Sequence, residues 1–372
     1  MNAAVVGAGY SGLLAAIALA RAGARVTVFE EHKSIGKPQH CTGIVSPSVA
    51  AELESLTRRK LSIARYSEIA VAPGGEPALI LATETVKVNR VALELGLADV
   101  AEREGVKIEV GTPVKKVSPD GWVTHTGGGG RYDIVIVADG AYGRISAMLR
   151  DSEPLKAYGV NYVKKDYGEM HRIVVDPLDQ RAYCFFSWRV PLRGGVTLEG
   201  YASTRRPLAP PPGDAKGAYG GVVLLGPPLP ARRGRIVTWG DASALVKPLT
   251  GGGLAPQLEA YKLLARLLGE MRDPALAALK SQLIVASRLK PAARLSRLLY
   301  TKCLIRELFK SPPPYTLKVK LDFDDHLSPR SIAWSTVALL VLSLSSPIAS
   351  AKLLPQGLAA VVERIYAFTK TE

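Results

Sequence analysis

The apolar pattern at the start of the chain predicts a strand, a helix and a second strand. Asn2 to Gly7 has the pattern of a short buried strand, Gly12 to Gly23 that of a helix rich in Ala and Leu, and Arg25 to Glu30 that of a second strand. This order is a βαβ unit, whose strands lie in parallel. Three later segments predict a helix and two strands that extend the same sheet: residues 89–105, the run around Ile108, and residues 134–138.

Further along, the pattern becomes that of an antiparallel sheet. The apolar segments Ile69–Val71 and Leu79–Leu81 flank Pro73-Gly-Gly75, which predicts a hairpin. Other predicted strands cover residues 173–175, 183–190, 196–201, 222–225 and 235–239, with a proline-rich break at 207–213 and a helix over 254–271. We interpret the strands up to residue 203 as one antiparallel sheet in a second domain.

Composition and charge add an expectation about partners. At 372 residues the chain is long enough for two or three domains, and 47% of its residues are hydrophobic. The net charge of +15 suggests an anionic partner, and residues 281–320 hold nine basic residues with a single acidic one, Glu307. No helix-turn-helix and no basic segment interleaved with aromatic residues is present. We therefore expect a phospholipid surface or a phosphorylated substrate, and no nucleic acid.

The cysteines and the first residues bear on the cellular compartment. Cys41, Cys184 and Cys303 are widely separated and odd in number, which argues against a disulfide framework and against a structural zinc site. The first apolar run leads directly into a glycine turn, so no signal peptide is expected. These observations predict a cytoplasmic protein.

An uncharged segment near the end of the chain leaves contact with a membrane as one interpretation. Residues 331–351 carry no charged side chain and approach the length of a membrane span. Ser and Thr residues and Pro347 interrupt the run, so we expect a buried helix or a peripheral contact with the inner face of the membrane rather than a crossing.

The segment Gly7-Ala-Gly9-Tyr-Ser-Gly12 follows a strand and opens a helix, the context in which this pattern indicates a dinucleotide site. Gly7 permits the tight turn, Gly9 lets the backbone approach a pyrophosphate, and Gly12 allows close packing of helix on strand. The helix N-terminus supplies free N–H groups for the phosphates. Glu30 ends the second strand, where its carboxylate can accept hydrogen bonds from an unphosphorylated ribose, which favours FAD or NAD over NADP.

Two later segments separate FAD from NAD. Asp139-Gly140 and Gly240-Asp241 each place a carboxylate and a glycine after a strand, where open α/β sheets bind ligands. An ADP-sized ligand would not need both segments, whereas a long cofactor that ends in an isoalloxazine would. Asp241 suits ribityl hydroxyls, and the amides of Gly251–Gly253 suit the flavin N1/O2 edge. The sequence therefore predicts FAD.

Together these motifs resemble the FAD-dependent oxidoreductases related to p-hydroxybenzoate hydroxylase, over roughly residues 1–270. The motifs are Gly7-x-Gly-x-x-Gly12, Glu30, Arg90 opening a helix, Ala138-Asp139-Gly140, Gly240-Asp241-Ala242 and Pro248-x-x-Gly251-Gly252-Gly253. Within that group, Gly36-Lys-Pro38-Gln-His-Cys41-Thr-Gly43 resembles the cysteine-bearing loop of the geranylgeranyl reductases. Phe186-Ser-Trp188-Arg-Val-Pro191, followed by Gly200, resembles their aromatic substrate motif.

The motifs and the resemblance give three groups of candidate site residues. The expected cofactor-binding residues are Gly7, Ala8, Gly9, Tyr10, Ser11, Gly12, Glu30, Glu31, Cys41, Thr42, Gly43, Arg90, Val114, Asp139, Gly140, Gly240, Asp241, Gly251, Gly252 and Gly253. The expected substrate-binding residues are Phe186, Trp188 and Pro248. Cys41 and His40 are the catalytic candidates, because a proton donor beside the flavin must complete a reduction. No metal is expected, since the histidines at positions 32, 40, 125, 171 and 326 lack metal-ligand spacing.

Three of these residues have plain structural alternatives. Cys41 could be a small buried apolar residue, since free cysteine often is. Trp188 could belong to the core of its strand. Arg90 could be a solvated residue at the start of its helix.

The resemblance implies an FAD-dependent reductase that saturates isoprenoid double bonds, by hydride transfer from N5 of reduced flavin. A prenylated glycerophospholipid would suit both an apolar tunnel and the excess of positive charge. Three alternatives stay open: a hydroxylase or epoxidase of the same fold, a flavoprotein that passes electrons to a membrane quinone, and a lipid-binding protein without redox chemistry. The single dinucleotide turn is committed to FAD, so a nicotinamide electron donor would have to bind transiently, and reduced ferredoxin is another candidate donor.

The expected fold class is α/β: a Rossmann-like FAD-binding domain, a second antiparallel-sheet (α+β) substrate domain and a helical C-terminal region. The expected FAD-binding domain is discontinuous and comprises residues 1–65, 84–152 and 228–275. Residues 66–83 and 153–227 form the expected substrate domain, and residues 276–372 the helical region.

Overall fold

The computed structural model describes residues 1–166, 169–206, 208–210, 213–311 and 315–324. The strands are β1 Asn2–Val6, β2 Arg25–Phe29, β3 Ile44–Val45, β4 Ser62–Val71, β5 Leu79–Val88, β6 Lys107–Glu109, β7 Val114–Val117, β8 Trp122–His125, β9 Gly128–Arg131, β10 Ile134–Val137, β11 Leu155–Lys165, β12 Arg172–Asp176, β13 Ser187–Leu192, β14 Val196–Ser203, β15 Lys216–Leu225, β16 Arg232–Arg233, β17 Ile236–Thr238 and β18 Leu317–Lys320. The helices are α1 Tyr10–Arg21, α2 Pro47–Thr57, α3 Arg90–Arg103, α4 Arg144–Leu149, α5 Leu254–Glu270, α6 Pro274–Thr301 and α7 Leu304–Lys310.

Among the described residues, the first sheet has six strands in the order β16-β17-β10-β1-β2-β6. β1 pairs in parallel with β2 and β10, which in turn pair in parallel with β6 and β17. The edge strand β16 is antiparallel to β17. The predicted βαβ start and the predicted strands near Ile108 and Ile134 are confirmed. The carboxyl ends of β1, β10 and β17 therefore meet at one edge, where open α/β sheets bind ligands.

Both faces of this sheet are covered, which explains why its strands are continuously apolar. Ala3 and Val5 join the large apolar cluster formed with α1, α3, α5 and α6. Ala4 and Val6 point to the opposite face and pack in a cluster with Val123 of β8. The residues from Leu13 to Leu19 of α1 are at most 1% exposed. Burying each large apolar side chain contributes about 1.5–3 kcal/mol, so α1 is held mainly by packing.

The second sheet, in the part of the chain that the structure describes, has nine strands and is mainly antiparallel. Its main path runs β15-β11-β14-β13-β12-β4-β5-β18, and β3 pairs with β5 beside this path. The predicted hairpin is confirmed, since β4 and β5 pair antiparallel on either side of the 3-10 turn Pro73–Gly75. The pairs β12 with β4 and β18 with β5 are parallel. A separate three-stranded sheet consists of β7, β8 and β9.

The C-terminal helices cover an apolar part of the second sheet. Leu299 of α6 and Leu308 and Phe309 of α7 pack in one cluster with Leu79 of β5 and with Phe185. Within its described residues, the region predicted as helical therefore contains most of α6 and all of α7, but it also contributes the strand β18. The division into domains stays a prediction, although its boundaries at residues 65/66 and 83/84 fall inside β4 and β5.

The expectation that the cysteines form no disulfide is wrong for one pair. Cys184 and Cys303 form a disulfide, with their Cα atoms 4.6 Å apart and a separation of 119 positions in sequence. Cys184 precedes Phe185, and Cys303 lies at the junction of α6 and α7, so the packing of these helices on the second sheet brings the two cysteines together. Spacing along the chain gives no sign of such a contact. Cys41 is a free cysteine.

The prediction for residues 331–351 falls outside the described residues, as does His326. Within the part of the chain that the structure describes, no helix is both long and apolar enough to cross a membrane.

Candidate functional site

The three glycines of the first turn have different surroundings. A Cβ at Gly7 would lie 2.5 Å from the carbonyl oxygen of Ala138, and one at Gly12 would lie 2.0 Å from the carbonyl oxygen of Gly7. These two glycines let β1, β10 and α1 approach one another. A Cβ at Gly9, in contrast, would meet no protein atom within 4 Å. Gly9 faces open space at the N-terminus of α1, where a pyrophosphate can approach the backbone.

Glu30 lies at the end of β2, beside this turn. Its Oε2 accepts a hydrogen bond of 2.7 Å from the amide of Ala8, and its Oε1 accepts one of 2.9 Å from the amide of His32. The Nδ1 atom of His32 lies 2.7 Å from the same Oε1. These contacts fix a buried carboxylate at the sheet edge, in the position from which it can accept ribose hydroxyls.

Asp139 and Gly140 follow β10. Asp139 Oδ2 accepts hydrogen bonds of 3.0 and 3.1 Å from the amides of Ile145 and Ser146, at the start of α4. Its Oδ1 is buried and has no partner among the described residues, and burial raises the pKa of this carboxyl. Gly140 has a φ of +79°, and a Cβ there would meet no atom within 4 Å. Asp139 thus holds the turn, and Gly140 keeps the space beside it open.

Asp241 lies after β17 and is partly buried. Its Oδ1 accepts a hydrogen bond of 2.5 Å from Gln257 Nε2 on α5, which also donates to the carbonyl of Leu245 at 3.2 Å. Burial raises the pKa of Asp241. A Cβ at Gly253 would come within 2.9 Å of Asp241 Oδ1, so this glycine is required for the close approach of the turn to the carboxylate.

The glycine turn before α5 offers two free amides rather than three. The amide of Gly251 donates a 2.8 Å hydrogen bond to the carbonyl of Lys247 and is engaged within the protein. The amides of Gly252 and Gly253 donate to no backbone carbonyl of the described residues, and α5 has no side-chain cap. The start of α5 can therefore bind an electron-rich ring edge through these two amides.

The side chain of Arg90 is only 13% exposed, which argues against the alternative of a solvated helix-start arginine. Its guanidinium pairs with Glu94 and lies over the ring of Tyr10, 5.5 Å from the centroid. Burial opposes the charge, but Glu94 and Cys41 raise the pKa of Arg90. The Nε atom is buried and has no partner among the described residues. Tyr10 is fixed in turn by donating a 2.9 Å hydrogen bond to the carbonyl of Leu254.

The loop around Cys41 is anchored on β5. The carbonyl of Gly43 accepts a 2.8 Å hydrogen bond from the amide of Val88, and Lys87 Nζ donates one of 2.7 Å to the carbonyl of Thr42. The Cys41 sulfur accepts a 3.3 Å contact from the amide of Gly43. Cys41 is partly exposed to the cavity described below, so it is not simply a buried apolar residue.

Trp188 and the Cys41 loop share one partner, Asn161 of β11. Asn161 Oδ1 accepts hydrogen bonds of 3.0 Å from Trp188 Nε1 and 3.1 Å from Thr42 Oγ1. Gly200 lies directly across from Trp188 on β14, and a Cβ there would come within 2.5 Å of the indole nitrogen. The ring of Phe186 meets that of Trp188 edge-on, with centroids 6.1 Å apart. Gly200 therefore provides the space for the indole ring.

His40 is exposed, and its Nδ1 lies 2.6 Å from the carbonyl oxygen of Gly220 on β15. Because a carbonyl oxygen only accepts, Nδ1 carries the proton in this contact. The Nε2 atom is then the one through which neutral His40 could accept a proton.

A single cavity of about 1170 Å³ connects these groups. One part is lined by the glycine turns, Glu30, Arg90 and Asp241. Another part is apolar and is bounded by strands of the second sheet and by α6, α7 and β18; its walls include Leu79, Val175, Phe186, Leu299, Phe309 and Val319. Cys41 and Trp188 line the same cavity.

Most of the residues that the sequence pointed to are brought together here. The predicted site residues that line the cavity are Gly7, Ala8, Gly9, Tyr10, Ser11, Glu30, Glu31, His40, Cys41, Thr42, Gly43, Arg90, Val114, Asp139, Gly140, Phe186, Trp188, Asp241, Gly251, Gly252 and Gly253. Three others, Gly12, Gly240 and Pro248, are not among the lining residues. Gly12 and Gly240 serve packing instead, since a Cβ at Gly240 would lie 2.3 Å from Ser11 Oγ. The individual roles stay predictions.

Sequence reasoning missed several polar residues in or beside the site, among them Lys87, Asn161, Lys247 and Gln257. Lys247 lines the cavity and pairs with Asp324, Nζ to Oδ1, at 3.0 Å. These four residues lie in no recognisable motif. A buried lysine in an apolar strand, such as Lys87, was the one signal that the sequence offered.

The residues present fit FAD. Gly9 and Gly140 leave open space beside two strand ends, Glu30 suits a ribose, and the free amides of α5 suit a ring edge. The buried atoms Arg90 Nε and Asp139 Oδ1 have no protein partner among the described residues, as expected beside a polar ligand.

The N-terminal part of the chain, residues 2–72, matches the profile of the FAD dependent oxidoreductase family. No curated protein matches the chain in sequence. A geranylgeranyl bacteriochlorophyll reductase-like protein from Thermoplasma acidophilum is similar over 95% of this chain and 98% of its own, with a TM-score of 0.74 and 19% identity. Klebsiella pneumoniae HpxO in complex with FAD and uric acid is similar over 82% of this chain and 92% of its own, with a TM-score of 0.59 and 17% identity. P. aeruginosa PqsL in complex with 2-aminobenzoylacetate is similar over 82% of this chain and 98% of its own, with a TM-score of 0.60 and 16% identity.

At these identities the structural likeness shows the fold alone. The family match, the fold and the fit of the cavity to its cofactor nevertheless agree: the chain is an FAD-dependent oxidoreductase whose fold is similar to that of a geranylgeranyl reductase-like protein.

Proposed function

We propose that this oxidoreductase saturates isoprenoid double bonds, with a prenylated glycerophospholipid as its substrate. The observation that supports this most directly is the continuity of the cavity, which joins the FAD-binding residues to an apolar tunnel. A tunnel lined by Leu79, Val175 and Leu299 suits a hydrocarbon chain, because it offers dispersion contacts and no hydrogen-bond partners.

The charge at the cavity supports an anionic headgroup. Arg144 and Arg206 line the cavity, and Arg206 lies over the ring of Tyr158 at 4.2 Å from its centroid. Stacking on an aromatic ring holds a guanidinium in place while leaving its N–H groups available. A phosphate held there would let the prenyl chain extend into the tunnel.

The residues around Cys41 would position the double bond and supply a proton, whatever the length of the prenyl chain. Bound FAD in its reduced form supplies the hydride. Trp188, held by Asn161 and seated over Gly200, forms a wall for the double bond. Cys41 borders the cavity on a loop that Thr42 ties to Asn161, so its thiol is placed to give the proton that completes the addition. His40 is the second candidate for this proton.

The proposed function also includes an electron donor and a peripheral contact with a membrane. We expect reduced ferredoxin or another electron donor. Because the single dinucleotide turn is used by FAD, a nicotinamide donor would bind only transiently. We also expect peripheral contact with an anionic membrane surface, which the net charge of +15 would favour.

Mass spectrometry of prenyl lipids after incubation with the dithionite-reduced, FAD-loaded protein tests the proposal. We expect products heavier by two hydrogen atoms for each double bond saturated. Unchanged lipids from glycerophospholipids of several prenyl chain lengths would exclude this function.

A flavin-dependent hydroxylase is the second candidate, because HpxO and a 2-methyl-3-hydroxypyridine-5-carboxylic acid oxygenase have similar structures, with TM-scores of 0.59 for both. The two functions differ in their use of oxygen. Products that appear only when oxygen is admitted, heavier by one oxygen atom, would favour the hydroxylase.

A further inference from the structure

A buried ion pair joins the apolar wall of the cavity to the glycine turn before α5. Lys247 Nζ lies 3.0 Å from Asp324 Oδ1, and the two side chains are only 6% and 7% exposed. Asp324 ends the wall segment, residues 317–324, in which Leu321 and Phe323 line the cavity. Two segments that are far apart in sequence, the wall segment and the turn that begins α5, are thereby held together.

Lys247 is built into the turn that presents the free amides of α5. Its own amide donates a 2.9 Å hydrogen bond to the carbonyl of Gly252, and its carbonyl accepts one of 2.8 Å from the amide of Gly251. A Cβ at Gly252 would lie 2.8 Å from Lys247 Cε, so the absence of a side chain at Gly252 lets the lysine pass across the turn. A displacement of Lys247 therefore also displaces the amides of Gly252 and Gly253, which are expected to bind the flavin edge.

Asp324 binds the lysine through one oxygen and the residue after the Cys41 loop and β3 through the other. Its Oδ2 accepts a 2.5 Å hydrogen bond from the amide of Ser46, which follows β3 and caps α2. Lys247 Nζ also donates to the carbonyl of Phe323 at 3.3 Å and lies 3.7 Å from the centroid of the Phe323 ring. The carboxylate of Asp324 thus connects the wall segment to two of the expected cofactor-binding segments.

The pair is charged, and its energetics favour a positioning role over a stabilising one. Burial acts to raise the pKa of Asp324, but Lys247 and the amide of Ser46 hold the pKa below its ordinary value, so the carboxylate is ionised at neutral pH. Burying two charges costs about as much as their attraction returns, and apolar residues of similar volume are often equally stable. The pair instead contributes geometry, because both charges are satisfied only when the wall segment and the turn lie together.

We propose that Lys247 and Asp324 are positioning residues that couple the binding of FAD to the closure of the wall segment over the tunnel. When the amides of Gly252 and Gly253 hold the flavin edge, the turn is fixed and Lys247 is in place to bind Asp324. The coupling is reciprocal: the factor by which FAD favours the closed wall segment is the factor by which the closed segment favours FAD. This inference depends on FAD as the cofactor and not on the prenyl lipid, so it goes beyond the proposed function.

Hydrogen exchange of the backbone amides of β18, followed by mass spectrometry with and without FAD, measures one side of this coupling. Flavin fluorescence measures the other side, the affinity for FAD. The wild type is compared with Asp324→Asn, which removes the carboxylate charge and retains the size of the side chain. Glu52→Gln is the matched control, because Glu52 on α2 pairs with Lys262 on α5 at the same distance of 3.0 Å, but both side chains are exposed.

We expect FAD to slow the exchange of the β18 amides in the wild type by about tenfold, which is within the usual range of coupling between two sites. Asp324→Asn should bind FAD about tenfold more weakly, and FAD should then change the exchange of β18 by less than about twofold. Glu52→Gln should behave as the wild type. Exchange in the wild type that is the same with and without FAD, or a wild-type FAD affinity in Asp324→Asn, would overturn the proposal.

A double variant separates positioning from folding, since a single substitution leaves a buried charge unpaired. Lys247→Met combined with Asp324→Leu removes both charges and fills their space with apolar groups. We expect the melting temperature of its apoprotein to lie close to that of the wild type, while its FAD affinity stays about tenfold lower. Recovery of FAD affinity together with stability would show that the pair serves folding alone and would overturn the coupling. No lipid is present in these measurements, so a failure of the reductase proposal leaves them unaffected.

Discussion

The space available for a Cβ atom distinguishes the glycines of the first turn that are needed for packing from the one that faces the ligand site. Gly7 and Gly12 face backbone oxygens at distances that no Cβ tolerates, whereas Gly9 faces open space. The sequence predicted this division, because the motif assigns each glycine its own role. It could not predict Lys87, whose partner Thr42 is brought near by the pairing of β3 with β5 rather than by spacing along the chain.

Gly9→Ala should weaken FAD binding without destabilising the protein. Gly9 has an extended backbone, with φ of −74° and ψ of 178°, so alanine adopts its conformation without strain. Its Cβ would, however, occupy the space that a pyrophosphate needs. We expect FAD affinity, measured by flavin fluorescence, to fall by at least about tenfold (about 1.4 kcal/mol), with an unchanged melting temperature of the apoprotein.

Gly12→Ala and Gly269→Ala are the matched controls for this prediction. Gly12→Ala places a Cβ against the carbonyl of Gly7 and should lower the melting temperature itself. Gly269 lies in α5, and a Cβ added there would meet no other group within 4 Å. Gly269→Ala should therefore leave FAD affinity and melting temperature unchanged, or raise stability slightly. Wild-type FAD affinity in Gly9→Ala would show that this turn does not hold the phosphates.

Lys87 should also make stability depend on pH in the alkaline range. Its pKa in the folded protein is lowered to about 8 by burial, below the ordinary value of 10.5. Between these two values the unfolded chain binds more protons, so the free energy of unfolding rises with pH by up to about 3 kcal/mol from this group. Urea unfolding of wild type and Lys87→Met at pH 7.5 and pH 10 should show a smaller rise in the variant. An equal rise in both proteins would contradict this prediction.

Three neighbouring strands of the second sheet position the indole of Trp188. Asn161 on β11 and Trp188 on β13 both lie opposite Gly200 of β14, so the absence of a side chain at Gly200 brings the indole within reach of the amide. The sequence predicted the motif around Trp188 but placed its strand too early, over residues 183–190. The backbone turns at Cys184, where φ is +51°, and β13 begins only at Ser187.

Gly200→Ala should displace Trp188, and Gly159→Ala should not. A Cβ at Gly200 would lie 2.5 Å from Trp188 Nε1, whereas one at Gly159 on β11 would lie 3.9 Å from the nearest indole atom, an ordinary contact. We expect Gly200→Ala to change the near-ultraviolet circular dichroism and to lower stability by about 1–3 kcal/mol, as overpacking does. FAD binding should persist in both variants. Identical spectra for the two variants would contradict the role of Gly200.

At the scale of the whole molecule, the cavity is lined by segments that are distant in the sequence, and only some of them could be predicted to lie together. Its cofactor part was predictable, because the FAD motifs lie at strand ends whose parallel pairing brings them to one edge. Its apolar part was not, because the walls come from β5, β13, α6, α7 and β18, whose contacts are long-range and follow no motif. The Cys184–Cys303 disulfide was missed for the same reason.

Leu299→Trp should shorten the tunnel without affecting FAD. Leu299 lines the cavity from α6 and is 5% exposed, so a larger side chain there takes up space within the apolar part. We expect a shift of activity toward shorter prenyl chains and an unchanged FAD affinity. Leu283→Trp, at a site of the same helix that is 47% exposed, is the control and should retain the wild-type preference. The same preference for prenyl chain length in both variants would show that the substrate does not bind in the apolar part of the cavity.

The proposed function requires that reduced flavin in this cavity deliver its electrons to an alkene. An anaerobic single turnover measures this most directly: the FAD-loaded protein is reduced, mixed with a prenylated glycerophospholipid, and followed by flavin absorbance and by mass spectrometry of the lipid. We expect one saturated double bond for each flavin reoxidised. Flavin that stays reduced until oxygen or a quinone is added, with the lipid unchanged, would contradict it.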